Sequence, residues 1–142
     1  DWKVERPALG VVSKLKPRRH LSAEEFTYLR GRTTRIAKVT LPSPTLFINF
    51  WSAERAGHAY ATLEAYLEDV VAILRNEVTE LVRLGGTYIQ LDAPHYTSLL
   101  DRRTRAFYET QGWSFEGWLA RGVELENAVM KGFPEVTFGF HL

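Results

Sequence analysis

Ser43, Trp51, Asp92, His95, Tyr96 and His141 are the residues from which chemistry could be assembled in this chain. The stretch GGTYIQLDAPHY, residues 85–96, frames the problem. A short apolar run, Tyr88 to Leu91, ends in Asp92 and is followed at once by Pro94, His95 and Tyr96. An acid at the tip of a strand that otherwise reads as buried needs a reason. In parallel α/β proteins, reacting and ligand-binding groups gather at the C-terminal ends of the strands. Asp92 ends one apolar run, His141 ends another (VTFGF), and Ser43 stands between two prolines after a third (KVTL). Brought to one rim, an acid, two histidines and a hydroxyl are the groups of acid–base or metal chemistry. Each has a plainer reading. Asp92 could cap the next helix, His95 could be a solvated loop residue, and Ser43 a turn residue. Trp51 reads first as core, His20 and His58 read as surface, and His141 carries little signal by itself.

The elements that must position these residues follow from periodicity. Residues 8–15 (ALGVVSKL) read as a strand closed by Pro17. Ser22 followed three residues later by Glu25 is a capping-box signature for a short helix at about 23–30. In that helix Phe26 and Leu29 are expected to face inward, with Leu21 as a staple. Residues 38–41 form a second strand, stopped by Pro42 and Pro44. Residues 45–51 are apolar and aromatic but ambiguous in state, and residues 52–61 read as a polar loop or helical turn.

Residues 62–84 form the clearest element. Leu63, Tyr66, Leu67, Val70, Leu74, Val78, Leu81 and Val82 recur at three- and four-residue spacing, the mark of an amphipathic helix. Gly85 and Gly86 end it. The strand at residues 87–91 does not alternate cleanly, which suits a parallel strand covered on both faces. Helices at about 97–110 and 114–131 follow, the second carrying Phe115, Trp118, Leu119, Val123 and Val129. A last strand spans residues 136–140. Strands separated by helices give a parallel α/β sheet. About four strands in 142 residues fit a partial (β/α)8 TIM barrel or a small open sheet, one domain over residues 1–142.

Composition narrows the class. A net charge of +1 argues against a nucleic-acid footprint. No apolar run approaches the ~20 residues needed to span a bilayer, so no membrane role is expected. Without a signal-peptide layout at the N-terminus, the cytoplasm is the expected compartment. The chain has no cysteine, hence no disulfide and no thiolate-ligated metal of its own. There is no glycine-rich phosphate loop and no nucleophile elbow. The basic clusters at residues 18–20 and 101–105 read as solvated faces, with a phosphate or polyanionic tail as the other reading.

Three motifs in register carry a resemblance. YIQLDAPHY resembles the strand "YIQ-hydrophobic-D-x-P" of the cobalamin-independent methionine synthase family, in its C-terminal catalytic barrel. The terminal VTFGFHL resembles the strand before that family's His-x-Cys zinc motif, with the cysteine expected at the position after Leu142. KVTLPSPTLFINFWS resembles an earlier strand and loop that carry a proline and a Trp-Ser pair, here Pro44 and Trp51-Ser52. Order and spacing agree over residues 36–142, and the N-terminal part is most like the shorter, single-barrel members.

The resemblance implies part of a zinc-dependent methyltransferase of methionine biosynthesis. A homocysteine-like thiol would receive a methyl group from a methyltetrahydrofolate-type donor. Zinc would keep the thiol as a nucleophilic thiolate. Carried over residue by residue, His141 would be a zinc ligand, Asp92 would hold the substrate ammonium, and Trp51 could lie against the folate ring system. Ser43, His95 and Tyr96 stay candidates for substrate contact by their placement at strand ends. Two departures matter. Where the synthase has an acid after the aspartate, this chain has Ala93, which loosens the case for an amino-acid substrate. The zinc site is incomplete, since one imidazole does not hold the metal. The chain alone is therefore expected to be inactive. Two other readings remain: a barrel of the uroporphyrinogen-decarboxylase type, and a truncated, non-catalytic module that self-associates through open sheet edges.

Overall fold

A computed structural model describes residues 9–110, 112 and 114–142. Its centre is a three-stranded parallel sheet in the order β1 (Lys38–Pro42), β2 (Tyr88–Asp92), β3 (Thr137–His141). The helices are α1 (Ala23–Arg30), α2 (Ala53–Ala56), α3 (Leu63–Arg83), α4 (His95–Ser98), α5 (Arg102–Thr110) and α6 (Phe115–Met130). A 3-10 helix, Pro44–Phe50, occupies the ambiguous aromatic run after β1. None of the described helices is long and apolar enough to cross a membrane.

The strands alternate after all. Val39, Leu41, Ile89 and Leu91 are buried in the core shared with Leu67, Val70, Leu74 and Val78 of α3 and with Trp118, Leu125 and Val129 of α6. The residues between them, Lys38, Thr40, Gln90 and Asp92, are exposed or half-buried. The expectation of a β2 covered on both faces is therefore corrected: helices cover one face, and the other is polar. Burying each of those aliphatic side chains contributes about 2 kcal/mol, which fixes which face the register presents.

The expected strand at residues 8–15 is not one; residue 8 lies outside the described residues, and 9–15 join no sheet. Its amides find other partners. Val11 N–H donates to the Phe50 carbonyl at 3.0 Å, and Leu15 N–H to the Tyr60 hydroxyl at 2.8 Å. Among the described residues there are thus three strands where about four were expected. The capping box at Ser22 also fails, for a visible reason. The Ser22 N–H, which Glu25 would have to accept, donates instead to Glu77 of α3 at 2.6 Å, alongside Leu21 N–H at 2.8 Å. A buried carboxylate from another helix anchors this end of α1. Phe26 is buried as expected, but Leu29 and Leu21 are exposed.

The long helix matches its periodicity. Thr62 caps it by accepting from Ala65 N–H at 3.2 Å. Gly85 ends it with φ +89°, where the Gly85 and Gly86 amides return to the Val82 and Leu81 carbonyls. The helix expected at 97–110 is two. α4 stops at Ser98, and the Asp101 carboxylate accepts from both the amide and hydroxyl of Thr104 at 3.1 Å, starting α5 afresh.

α6 is rotated from the expected phase. Trp118, Gly122, Leu125, Glu126 and Val129 are buried, while Val123 is exposed. Gly122 is required by its neighbours. A methyl group there would stand 2.6 Å from the Tyr96 hydroxyl oxygen and 2.9 Å from the Trp118 ring.

Candidate functional site

The parallel register aligns the three strand ends: Pro42 pairs with Asp92, and Asp92 with His141. Backbone bonds extend the alignment one residue further. Ser43 N–H donates to the Asp92 carbonyl at 3.0 Å, and Ala93 N–H donates to the His141 carbonyl at 2.8 Å. These bonds set Asp92 and His141 side by side on the polar face.

A chain of side chains crosses that face. Lys38 Nζ donates to Gln90 Oε1 at 2.7 Å, and Gln90 Nε2 donates to Asp92 Oδ1 at 2.7 Å. Asp92 Oδ1 lies 3.3 Å from His141 Nδ1. The Lys38 ammonium dictates which end of the Gln90 amide it meets, so the NH2 end must face Asp92. Asp92 Oδ2 makes no contact among the described residues, which leaves it for a ligand. Asp92 is 33% exposed and His141 59% exposed at the side chain. The contact on Nδ1 assigns any further bond of the His141 ring to Nε2. A carboxylate that orients an imidazole while its other nitrogen coordinates is the usual support of a metal-binding histidine. Even so, no group of three or more His, Cys, Asp or Glu residues among the described residues could hold a metal ion.

Ser43, His95 and Tyr96 lie elsewhere: the first two are buried and Tyr96 is partly buried beside them. His95 is 5% exposed, which corrects the reading of a solvated loop residue, while Ser43 opens the turn as read but is wholly buried. His95 packs against the rings of Tyr96 and Trp118 at centroid distances of 4.8 and 5.1 Å. Its Nε2 lies 2.9 Å from Thr45 Oγ1. Thr45 also donates to Glu126 Oε1, in a short bond, and lies 3.2 Å from Ser43 Oγ. Burial pushes the His95 imidazole down to about 4, and pushes the Glu126 carboxyl up to about 7 against the lowering effect of its hydrogen bonds. Burial likewise raises the Tyr96 phenol. The Tyr96 hydroxyl sits beside Glu126 without an aligned hydrogen bond.

Trp51 is buried, its ring stacked on Tyr66 at 5.8 Å between centroids. Thr45 and Glu126 were not singled out by sequence. The signal for Glu126 was an acid on the same helical stripe as Trp118, Gly122 and Val129.

Comparison with known proteins adds the family. No family model matches the chain. A methionine synthase of Pyrococcus abyssi is 37% identical over 86 residues, covering 60% of this chain and 24% of that protein. A methionine synthase of Thermococcus kodakarensis is 31% identical over 134 residues, covering 94% of this chain and 34% of that protein. A solved structure, a B12-independent methionine synthase from Shewanella sp. W3-18-1 in complex with selenomethionine, superposes with a TM-score of 0.68 at 21% identity. That superposition covers 94% of this chain and 33% of the other, and it supports the partial barrel fold. The chain spans about a quarter to a third of the length of the relatives it matches. Along most of its length the chain is similar in sequence to a part of methionine synthases, and it shares the fold of the solved B12-independent enzyme.

Proposed function

We propose that this chain forms part of the catalytic barrel of an enzyme of methionine biosynthesis that transfers a methyl group to a homocysteine-like thiol. The observation that carries the reading is the Asp92–His141 pair at aligned strand ends, 3.3 Å apart. The donor in this reading is a methyltetrahydrofolate-type compound. Asp92 Oδ2 takes the ammonium group of the amino-acid substrate, a charge-assisted bond. Gln90 keeps Asp92 turned toward the rim, and Lys38 fixes the sense of the Gln90 amide. His141 would be one ligand of a zinc site, and the described residues hold no complete ligand set around it. Zinc, when bound, makes a thiol nucleophilic at neutral pH. Trp51 gives the rim structural support, because its ring face is committed to Tyr66.

Methyl transfer from methyltetrahydrofolate to homocysteine, measured with the complete gene product, tests the reading. Activity is expected, and Asp92→Asn should lower kcat/KM by about 100-fold, the order expected for removing one charge-assisted hydrogen bond. Equal activity of the variant, or no activity in the wild type, would remove the assignment. The 142-residue chain alone is expected to show no turnover, for want of metal ligands.

A further inference from the structure

The buried cluster of Ser43, Thr45, His95 and Glu126 has a property that the rim pair lacks. Its central atom, Thr45 Oγ1, has three neighbours: Ser43 Oγ at 3.2 Å, His95 Nε2 at 2.9 Å and Glu126 Oε1. A hydroxyl has one proton to donate and two lone pairs to accept with. All three contacts are satisfied only if two neighbours donate to Thr45 and it donates to the third. Ser43 can donate throughout. While Ser43 donates to Thr45, His95 and Glu126 take opposite roles.

Two arrangements meet that condition. In the first, Glu126 is ionised and accepts from Thr45, while His95 carries its proton on Nε2 and donates to Thr45. In the second, Glu126 is protonated and donates to Thr45, which donates to a bare His95 Nε2, the ring proton being on Nδ1. The two differ by one proton. Adding it at His95 Nδ1, moving the Nε2 proton to Thr45 Oγ1 and the Thr45 proton to Glu126 Oε1 converts the first into the second. His95 is neutral in both.

We propose that Thr45, His95 and Glu126 form a single proton-sharing unit in which the protonation of Glu126 sets the tautomer of His95, across the two loops that follow β1 and β2. Burial supports it. His95 and Glu126 are 5% and 3% exposed, so water does not compete for their bonds to Thr45. His95 Nδ1 has no hydrogen-bond partner, so no outside group pins the tautomer. The titratable groups facing Glu126 are His95 and Tyr96 of α4. Among the described residues, Phe140 of β3 and Leu142 just after it share an apolar groove of about 350 Å³ with Glu126. The ion pairs of Arg121 with Glu64 and Glu68 of α3 lie at the surface. The raised Glu126 carboxyl places the exchange near neutral pH. Neither zinc nor methyl transfer enters the exchange.

The test is heteronuclear NMR of the imidazole nitrogens in the complete gene product labelled in histidine, with His95 assigned from a His95→Gln variant. As pH falls through neutrality, the His95 pattern is expected to pass from Nε2–H to Nδ1–H without passing through imidazolium. Thr45→Val should abolish the change, and Thr45→Ser should restore it. A tautomer that does not respond to pH in the wild type would overturn the proposal, even if Thr45→Val fails to fold. So would a change that persists in a folded Thr45→Val.

Discussion

The polar face and the buried cluster are both built at strand ends, and they are opposites. Asp92 and His141 are partly exposed, share one contact and leave Asp92 Oδ2 open. Thr45, His95 and Glu126 are sealed, with Thr45 saturated on every side. The difference teaches that following a strand end is not the same as facing a ligand. His95 is only three residues beyond Asp92, yet the turn into α4 carries it into the layer between sheet and helices. The rim should thus govern binding, and the cluster should govern stability.

The largest stability effect should come from the aromatic wall of the cluster. Trp118→Ala, at a wholly buried position against His95, Tyr96 and Tyr108, is expected to cost about 4 kcal/mol in urea unfolding. A loss under about 1 kcal/mol would mean the wall is not closed.

The pH dependence of stability comes next. The Glu126 carboxyl is raised from 4.5 to about 7, so the folded state holds the extra proton in that window and stability falls as pH rises through it. His95 is lowered from 6.5 to about 4, so the unfolded chain holds the extra proton and stability rises with pH over that window. The slopes oppose each other and leave the wild type nearly flat where the windows overlap. His95→Gln should expose the falling slope, up to about 3 kcal/mol in total. A rising slope in that variant would contradict the assignment of Glu126.

Thr45→Val, which removes the hydroxyl shared by three buried partners, is expected to cost about 2 kcal/mol by the same unfolding assay. Asp92→Asn should be the mildest, within about 0.5 kcal/mol, because the pair it belongs to is solvated. A large stability loss there would put the rim among structural, not ligand-facing, groups.

Much of the frame was legible in sequence. The bounds of α1, α3 and α6 lie close to those read from sequence, though α1 forms without its capping box, and β1, β2 and β3 follow from short apolar runs closed by Pro42, Asp92 and His141. What could not be read was long-range. Glu77 and Glu126 are acids on the apolar stripes of α3 and α6, and both are buried because loops distant in sequence bring them donors: Leu21 and Ser22 to one, Thr45 to the other. No local rule anticipates such partners. Residues 9–15 misled for the same reason, since their apolar composition implied a ladder while the Val11 and Leu15 amides go to Phe50 and Tyr60. The α6 phase was misread because Gly122 is small enough to look neutral, yet it marks the point of closest approach to Tyr96.

The most direct test of the contrast is equilibrium zinc binding to the complete gene product, measured in parallel for wild type, His141→Ala and His95→Gln. Stoichiometric zinc in the wild type, absent from His141→Ala and retained in His95→Gln, is the predicted result. Zinc that survives His141→Ala, or that disappears only in His95→Gln, would contradict the assignment of the rim as the ligand-facing site.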